Sequence, residues 1–359
     1  MLRRIARLTV AHTVAPLVDG AVKAALLSRS KASRARSSAE SLGPRERARR
    51  LRDITALYDR TEHFVRPESF FGEPPAPTFQ RAKVRPMPNG EVIDLAWPSE
   101  RPPIVAELAD KLYGVRANRL AQARWFRHRA PGRPVIVLVH GYLGGVHAIE
   151  ERAWPIADFV SRGLDVVLFV LPLHGPRGNS RRPPFPGSDP RMTVEGFRQA
   201  IYDLGGLVRG LRAEGARHVG AMGMSLGGYT SALAATTLPD LSFAAPFVPL
   251  ASVADFARDD GRFVGTEEDQ DEQHRLLENA CAVVSPLARS PRTPRENILV
   301  LGCERDRITP IRHAEKLATH FGAELVRMPG GHLVQIGRGE GFRSLLAMLR
   351  ARGILATRG

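Results

Sequence analysis

From residue 134 onward, short apolar runs rich in β-branched residues alternate with longer stretches of helical periodicity. The run at 134–139, PVIVLV, contains no polar residue, which is typical of a strand buried on both faces of a parallel sheet. Alternation of this kind predicts strand–helix–strand units whose parallel strands form one sheet. We therefore predict an α/β fold with a mostly parallel central sheet and helices on both faces.

The pattern predicts individual strands and helices. The predicted strands are 92–97, 120–128, 134–139, 164–171, 217–223, 241–248, 297–302 and 323–328. The predicted helices in the alternating part are 147–161, 193–213, 226–237, 310–320 and 340–352. Residues 251–292 interrupt the alternation with charged, partly helical sequence between two strands. Long insertions of this kind are often functional, so we interpret them as a lid or cap.

The first 90 residues differ from the rest of the chain. Residues 1–60 contain fourteen Lys and Arg against five Asp and Glu, so they carry most of the formal net charge of +15. Apolar residues recur at helical spacing among the first arginines, which favours an amphipathic surface helix. We predict a basic helical extension that ends in a Pro-rich extended wrap at 67–90, followed by a catalytic domain at 91–359.

The basic extension bears on possible partners. A concentration of positive charge favours an acidic partner, and we expect peripheral contact with an anionic membrane and no binding of nucleic acid. A basic helix that is simply solvated is the alternative, and it stays open.

The composition and the chain start bear on location. A hydrophobic content of 43% and a charged content of 25% are ordinary for a folded globular protein. No apolar run reaches the roughly 18 residues of a membrane span. His12 and Pro16 interrupt the apolar stretch near the start, and Asp19 follows it without a small-residue cleavage motif, which disfavours a signal peptide. We expect a cytoplasmic location, with peripheral membrane attachment as the alternative.

The chain has two cysteines, Cys281 and Cys303. They form neither a CxxC pair nor a Cys/His spacing typical of zinc ligands, so we predict no metal site. We expect both to be reduced, buried thiols, although a single disulfide bridge stays open.

The strongest motif is the pentapeptide GMSLG at 223–227, which follows a predicted strand and opens a predicted helix. A G-x-S-x-G sequence in this context predicts a nucleophile elbow, in which a sharp strand-to-helix turn projects Ser225. Gly223 and Gly227 leave room for the close approach of neighbouring backbone. The alternative is a chance match, because the chain contains 33 glycines.

A serine nucleophile needs a general base and an acid that orients it. His332 follows the last predicted strand on a glycine turn, at the sheet edge where Ser225 is expected. Asp306 lies in the loop after strand 297–302, where its carboxylate could hold the histidine ring. Glu304 is the competing acid. The alternatives are a loop histidine without catalytic role, a helix-capping role for the aspartate and a surface salt bridge for the glutamate.

The order Ser225, Asp306, His332 resembles that of the α/β-hydrolase superfamily, as does the HG turn, HGYLGG, at 140–145. The resemblance covers roughly residues 91–355. It implies that the backbone N–H groups of Tyr142 and Leu226 form an oxyanion hole. His140 is expected mainly to tie loops together, with contact to substrate as the alternative.

A second loop beside the expected site, at 171–183, carries three arginines: Arg177, Arg181 and Arg182. These side chains could bind an anionic group of a substrate, such as a phosphate or carboxylate. The alternative is a rim of solvated arginines.

Together these features predict an esterase-like or lipase-like serine hydrolase that cleaves a carboxylic ester through an acyl-enzyme, with no metal or organic cofactor. An acyltransferase or peptidase on the same fold remains open, because a fold does not determine a reaction. A non-catalytic binding protein is disfavoured because all three triad residues are present. The natural substrate, a small-molecule or lipid ester, is not specified further by the sequence.

Overall fold

The computed structural model describes residues 15–20, 42–180 and 182–356. Nine strands form one sheet in this part of the chain. They are β1 (Gln80–Met87), β2 (Gly90–Pro98), β3 (Leu120–His128), β4 (Val135–Val139), β5 (Asp165–Val170), β6 (Val219–Met224), β7 (Phe243–Phe247), β8 (Leu299–Cys303) and β9 (Glu324–Met328). The sheet order is β1-β2-β3-β5-β4-β6-β7-β8-β9.

Twelve helices and a short helical segment at 15–20 accompany the sheet within the described residues. They are α1 (Pro44–Tyr58), α2 (Thr61–Val65), α3 (Pro67–Phe71), α4 (Ala109–Tyr113), α5 (His147–Ala153), α6 (Ile156–Ser161), α7 (Pro190–Ala213), α8 (Leu226–Thr237), α9 (Val253–Asp259), α10 (Glu267–Cys281), α11 (Arg312–Phe321) and α12 (Arg338–Ala351). None of these helices has the length and apolar character needed to cross a bilayer.

The predicted mostly parallel sheet is confirmed. The strands from β4 to β9 run parallel to one another, whereas β2 and β3 pair antiparallel, and β3 pairs antiparallel with β5. One predicted helix, 147–161, is wrong as a single element. Pro155 separates α5 from α6, because proline lacks the N–H that a continuous helix would need there.

Strand β4 shows why the parallel strands are so apolar. All five of its side chains are almost fully buried. Val135, Val137 and Val139 join the larger core cluster, while Ile136 and Leu138 join the smaller one. Successive side chains of a strand point to opposite faces, so the two clusters lie on opposite sides of the sheet.

The predicted Pro-rich wrap at 67–90 is only partly extended and needs correction. Its first residues form α3, and its last ones form β1, an edge strand that pairs antiparallel with β2. Pro86 is compatible with β1 because an edge strand has backbone groups that need no partner strand. The hairpin pairs Met87 with Gly90, so the domain boundary drawn after residue 90 cuts through paired strands.

The helices before the sheet pack into the main core. Ile54 and Tyr58 of α1, and Phe70 and Phe71 of α3, are buried in the larger core cluster. Within the insertion 251–292, α10 packs against α1, and an ion pair joins Arg52 to Glu272. The N-terminal extension and the insertion therefore support one another; a lid role for the insertion stays a prediction.

Candidate active site

Ser225 lies at the turn between β6 and α8, with φ 56° and ψ −111°. A positive φ is strained for a residue with a side chain and costs about 1–3 kcal/mol. The surrounding backbone imposes it: Ser225 N–H donates to Phe247 O at 2.9 Å, and Tyr229 N–H donates to Ser225 O at 2.9 Å. The backbone thus turns sharply from strand to helix at Ser225, as a nucleophile elbow would require, and the serine side chain is half-buried at the carboxyl end of the sheet.

The two motif glycines allow this turn. A Cβ on Gly223 would lie 2.0 Å from the carbonyl oxygen of Gly227, and a Cβ on Gly227 would lie 2.0 Å from that of Val139. Neither contact is possible, so any larger residue would force the strand, the helix or the HG turn to move. The steric role predicted for both glycines matches these distances.

His332 and Asp306 form a buried pair. His332 lies in the turn after β9, and its Nδ1 is 2.7 Å from Asp306 Oδ2. The backbone N–H groups of Ile308 and Thr309 donate to Asp306 Oδ1 at 2.8 and 2.7 Å. A carboxylate accepts hydrogen bonds, so Nδ1 carries the proton and Nε2 keeps its lone pair. Glu304, the competing acid, is exposed.

Short links place this pair on the same sheet edge as Ser225. The Nε2 amide of Gln335 donates to His332 O at 2.8 Å and also lies 3.1 Å from Met224 Sδ, one residue before the serine. The Thr309 hydroxyl donates to Val248 O at 3.0 Å, next to the carbonyl that binds Ser225 N–H. Within the described residues, the Ser225 hydroxyl forms no hydrogen bond. Contacts between a nucleophile and its base are often long before substrate binds.

The HG turn lies directly against the serine. A Cβ on Gly141 would be 3.6 Å from Ser225 Cβ. His140 is buried, with Nδ1 2.8 Å from Gly141 O and Nε2 accepting from Leu171 N–H at 3.0 Å. Burial lowers the pKa of His140 to about 4, so the ring is neutral near pH 7. Both ring nitrogens are thus occupied in joining the loops after β4 and β5.

This architecture recurs in solved esterase structures. Acetyl xylan esterase 1 from Thermoanaerobacterium sp. superposes with a TM-score of 0.54 over 84% of this chain and 98% of its own, at 16% identity. The acetyl xylan esterase from Paenibacillus sp. R4 gives a TM-score of 0.55 over 83% of this chain and 99% of its own, at 16% identity. The chain has the α/β-hydrolase fold. At this identity the likeness establishes the fold alone.

Sequence comparison adds relatives without a stated activity. No protein-family model matches the chain. Uncharacterized proteins from two strains of Mycobacterium tuberculosis are 33% identical over 226 residues, which is 60% of this α/β-hydrolase chain. The match covers 53% of each relative, so the chain spans about half the length of the curated relatives it matches.

The predicted oxyanion hole is compatible with the elbow. Leu226 is the first residue of α8, so its backbone N–H has no acceptor within the helix and points toward the start of the helix. Tyr142 follows Gly141, which lies beside the serine, and its hydroxyl donates to Pro183 O at 3.1 Å. The assignment of the two N–H groups stays a prediction.

The arginine loop requires a correction. Arg177 is a candidate for binding a substrate anion or for a solvated rim, but its side chain is fully buried and its Nη2 lies 2.8 Å from Asp203 Oδ2 on α7, so both interpretations are wrong for this residue. Ser99 and the carbonyl of Val170 accept further hydrogen bonds from the guanidinium. The turn at Gly175–Arg177 directs the side chain inward, so Arg177 holds the loop against α7. Arg182 is exposed; Arg181 lies outside the described residues.

Two residues that sequence reasoning missed contact the His–Asp pair. The Thr309 hydroxyl lies 3.0 Å from both Asp306 Oδ2 and His332 Nδ1. Its spacing of three residues from Asp306 is a recognisable local signal, because Asp side chains often bind backbone N–H groups two or three residues later. Asp19, in the helical segment 15–20, accepts from His332 N–H at 2.6 Å. No local pattern indicates that contact.

One group of side chains within the described residues has atoms close enough to surround a metal ion: Asp255, His274 and Glu278. These three side chains already have partners within the protein. Asp255 Oδ1 lies 2.8 Å from His274 Nε2, and Lys316 Nζ lies 2.8 Å from Asp255 Oδ2. The same ammonium lies 3.9 Å from Glu278 Oε1, so a cationic side chain already pairs with both carboxylates. Cys281 and Cys303 are both buried and unpaired, as predicted.

Proposed function

We propose that this protein is a serine hydrolase that cleaves carboxylic esters, with Ser225 as nucleophile, His332 as general base and Asp306 as the acid that orients the histidine. The proposal rests chiefly on one observation, the 2.7 Å bond between His332 and Asp306 at the sheet edge that carries the strained Ser225 turn. Strain retained at a turn of this kind is typical of functional sites.

The chemistry follows from these positions. Ser225 Oγ attacks the ester carbonyl carbon while His332 Nε2 takes the hydroxyl proton. The oxyanion is stabilised by the N–H groups of Tyr142 and Leu226. The carbon–oxygen bond to the alcohol then breaks, and His332 returns its proton to the departing oxygen. Water, deprotonated by the same ring, attacks the acyl-enzyme, releases the acid and restores Ser225.

Active-site labelling tests the proposal. A fluorophosphonate should label the wild-type protein, and Ser225→Ala should abolish labelling, because the probe reacts with an activated serine. Ser231→Ala is a matched control, since Ser231 is a buried serine in α8 whose hydroxyl donates to Gly228 O at 3.0 Å. Labelling that persists in Ser225→Ala would contradict the nucleophile assignment. A wild-type protein that is never labelled would favour a non-catalytic binding role.

The surface beside the site favours a substrate with an apolar acyl group. Large apolar side chains that are more than one third exposed occur in the HG turn and directly after it, in α5 and directly after His332. They are Tyr142, Leu143, Val146, Ile149 and Leu333. Exposed apolar groups concentrated in one region commonly mark a binding surface. We expect activity on p-nitrophenyl esters to rise from acetyl to longer acyl chains, and Ile149→Ser to reduce that preference.

A transferase or a peptidase remains the alternative enzyme. Product analysis with an added alcohol separates a transferase from a hydrolase, because a transferase converts the acyl-enzyme into a new ester. An amide substrate of the same acyl group tests peptidase activity. Release of free acid from the ester alone supports the proposed hydrolase.

The basic N-terminal arm is proposed to contact anionic lipid, since each Lys or Arg near such a surface contributes about 1 kcal/mol. Removal of residues 1–60 would not be a clean test, because Ile54 and Tyr58 of α1 belong to the core. Substitution of Arg3, Arg4 and Arg7 by Gln in the full chain is better. Co-sedimentation with phosphatidylserine vesicles should fall in that variant, and equal binding by both proteins would overturn the idea.

A further inference from the structure

The helical segment 15–20 is docked onto the loops that carry the His–Asp pair. The carboxylate of Asp19 is fully buried and accepts hydrogen bonds from two consecutive backbone N–H groups, those of His332 at 2.6 Å and Leu333 at 3.0 Å. The N–H of Arg307, the residue after Asp306, lies 3.4 Å from the same carboxylate. One side chain near the chain start thus joins the loop of the base to the loop of its acid.

The two carboxylates act on different parts of His332. Asp306 binds the ring at Nδ1, whereas Asp19 binds the backbone N–H. The ring can be correctly oriented only if the backbone that carries it is also held. Without Asp19, two backbone N–H groups at the base of the turn would lose a charged acceptor, and bonds to charged acceptors are about twice as strong as neutral ones.

The turn also leaves space for the segment. A Cβ on Gly331 would lie 2.5 Å from Asp19 Oδ2 and 3.2 Å from Ala15 Cβ. Ala15 and Asp19, four residues apart on one helical face, are both fully buried. Leu17, between them, is 68% exposed. The segment therefore presents one face to the turn, and a glycine at 331 is required for that fit.

We propose that Asp19 is a positioning residue for catalysis, through which the N-terminal segment holds the His332 turn in its working geometry. The inference rests on the proposed serine-hydrolase function. It gives residues 15–20 a role inside the site, distinct from the lipid contact proposed for the arginines at the chain start. Displacement of a catalytic group by about 1 Å can cost 100-fold in rate, so loss of this anchor should affect turnover more than binding.

The test compares Asp19→Asn, Asp19→Ala and Leu17→Ala in the full chain. Rates on p-nitrophenyl acetate are divided by the concentration of active sites that fluorophosphonate labels, which we call the titre. Unfolded protein then lowers the titre but leaves kcat per site unchanged. We expect kcat to fall about 10- to 100-fold in Asp19→Ala, with KM within about twofold of wild type. Asp19→Asn should fall less, because its one oxygen can still accept a bond. Leu17→Ala should match wild type.

A second variant approaches the same contact from the other side. Gly331→Ala should displace the segment without altering Asp19, and should lower kcat in the same way. In Asp19→Ala/Gly331→Ala the two losses should not add, because the segment can be displaced only once. This variant carries the test if Asp19→Ala does not fold.

Two results would overturn the inference: wild-type kcat per site in both Asp19 variants, or fully additive losses in the double variant. If the first of these results comes with a lower titre, the role of Asp19 is purely structural. Failure of the proposed function itself looks different, since Ser225→Ala would then retain labelling and turnover.

Discussion

The Nδ1 atom of His332 lies 2.7 Å from Asp306 Oδ2, and the other oxygen of that carboxylate accepts two further hydrogen bonds. Backbone N–H groups hold Oδ1, and the Thr309 hydroxyl lies beside Oδ2. The carboxylate therefore cannot rotate away from the ring. The loop that holds the Asp306 carboxylate therefore helps to determine which ring nitrogen of His332 carries the proton.

Asp306→Asn tests that dependence. The amide NH₂ of asparagine would donate to Nδ1 and favour the ring tautomer with its proton on Nε2, which cannot act as a base. We expect kcat to fall by roughly 10⁴-fold with little change in KM. Glu304→Gln is the matched control, since Glu304 is exposed two residues away. Equal losses in both variants would contradict the assignment of the acid.

Gly227→Ala tests the close approach at the elbow. Its Cβ would lie 2.0 Å from Val139 O, which is backbone and cannot move aside cheaply. We expect a loss of about 3 kcal/mol or more in the free energy of unfolding, measured with urea. Gly339→Ala is the control, because Gly339 is an exposed helical residue whose nearest neighbour is a flexible arginine 3.6 Å away. It should be neutral or slightly stabilising.

Arg177→Met tests the correction in the arginine loop. It leaves the Asp203 carboxylate buried without its cation, so we expect a loss of about 3–5 kcal/mol in stability. The KM for the ester should not change, because the buried side chain of Arg177 does not reach the substrate. Arg177→Met/Asp203→Leu should recover much of the stability. A raised KM with normal stability would restore the substrate-binding role.

The same variant should show a pH dependence. Burial raises the pKa of Asp203 to about 6, even with the Arg177 guanidinium beside it. The folded state thus binds a proton more readily than the unfolded state, and more so in Arg177→Met. The stability deficit of the variant should be largest at about pH 8 and should shrink toward about pH 5, as the carboxyl group becomes neutral. Thermal unfolding of variant and wild type at both pH values measures it.

His174 should contribute to acid sensitivity. Burial lowers its pKa to about 3. The unfolded value is about 6.5, so the stabilising contribution is complete above that pH and is lost progressively as the pH falls. His174→Phe removes this group within the aromatic neighbours Tyr142 and Phe185. The drop in Tm from about pH 7 to about pH 5 should be smaller in the variant; an equal drop would show that folding does not lower the pKa of His174.

The central parallel strands were predictable because burial on both faces leaves a largely apolar run, as in β4. The edge strand β1 was not, since its side chains are exposed and Pro86 interrupts any β pattern. Within the candidate site, Ser225, Asp306 and His332 could be selected as candidates because each follows a strand in a local motif, and the structure places His332 beside Asp306. The burial of the Arg177 side chain could not be predicted from the sequence, because it depends on Asp203, which lies on a helix distant in the chain.

The hydrogen bond from His332 N–H to Asp19 joins residues 313 positions apart in the chain. The ribosome makes Asp19 long before His332, so this contact must wait until every residue between them has been synthesised. Domains generally begin to fold during synthesis from the N-terminal side. The His332 turn can therefore be anchored only after all nine described strands of the sheet have been synthesised, and a nascent chain would carry the Ser225 turn well before that anchor forms.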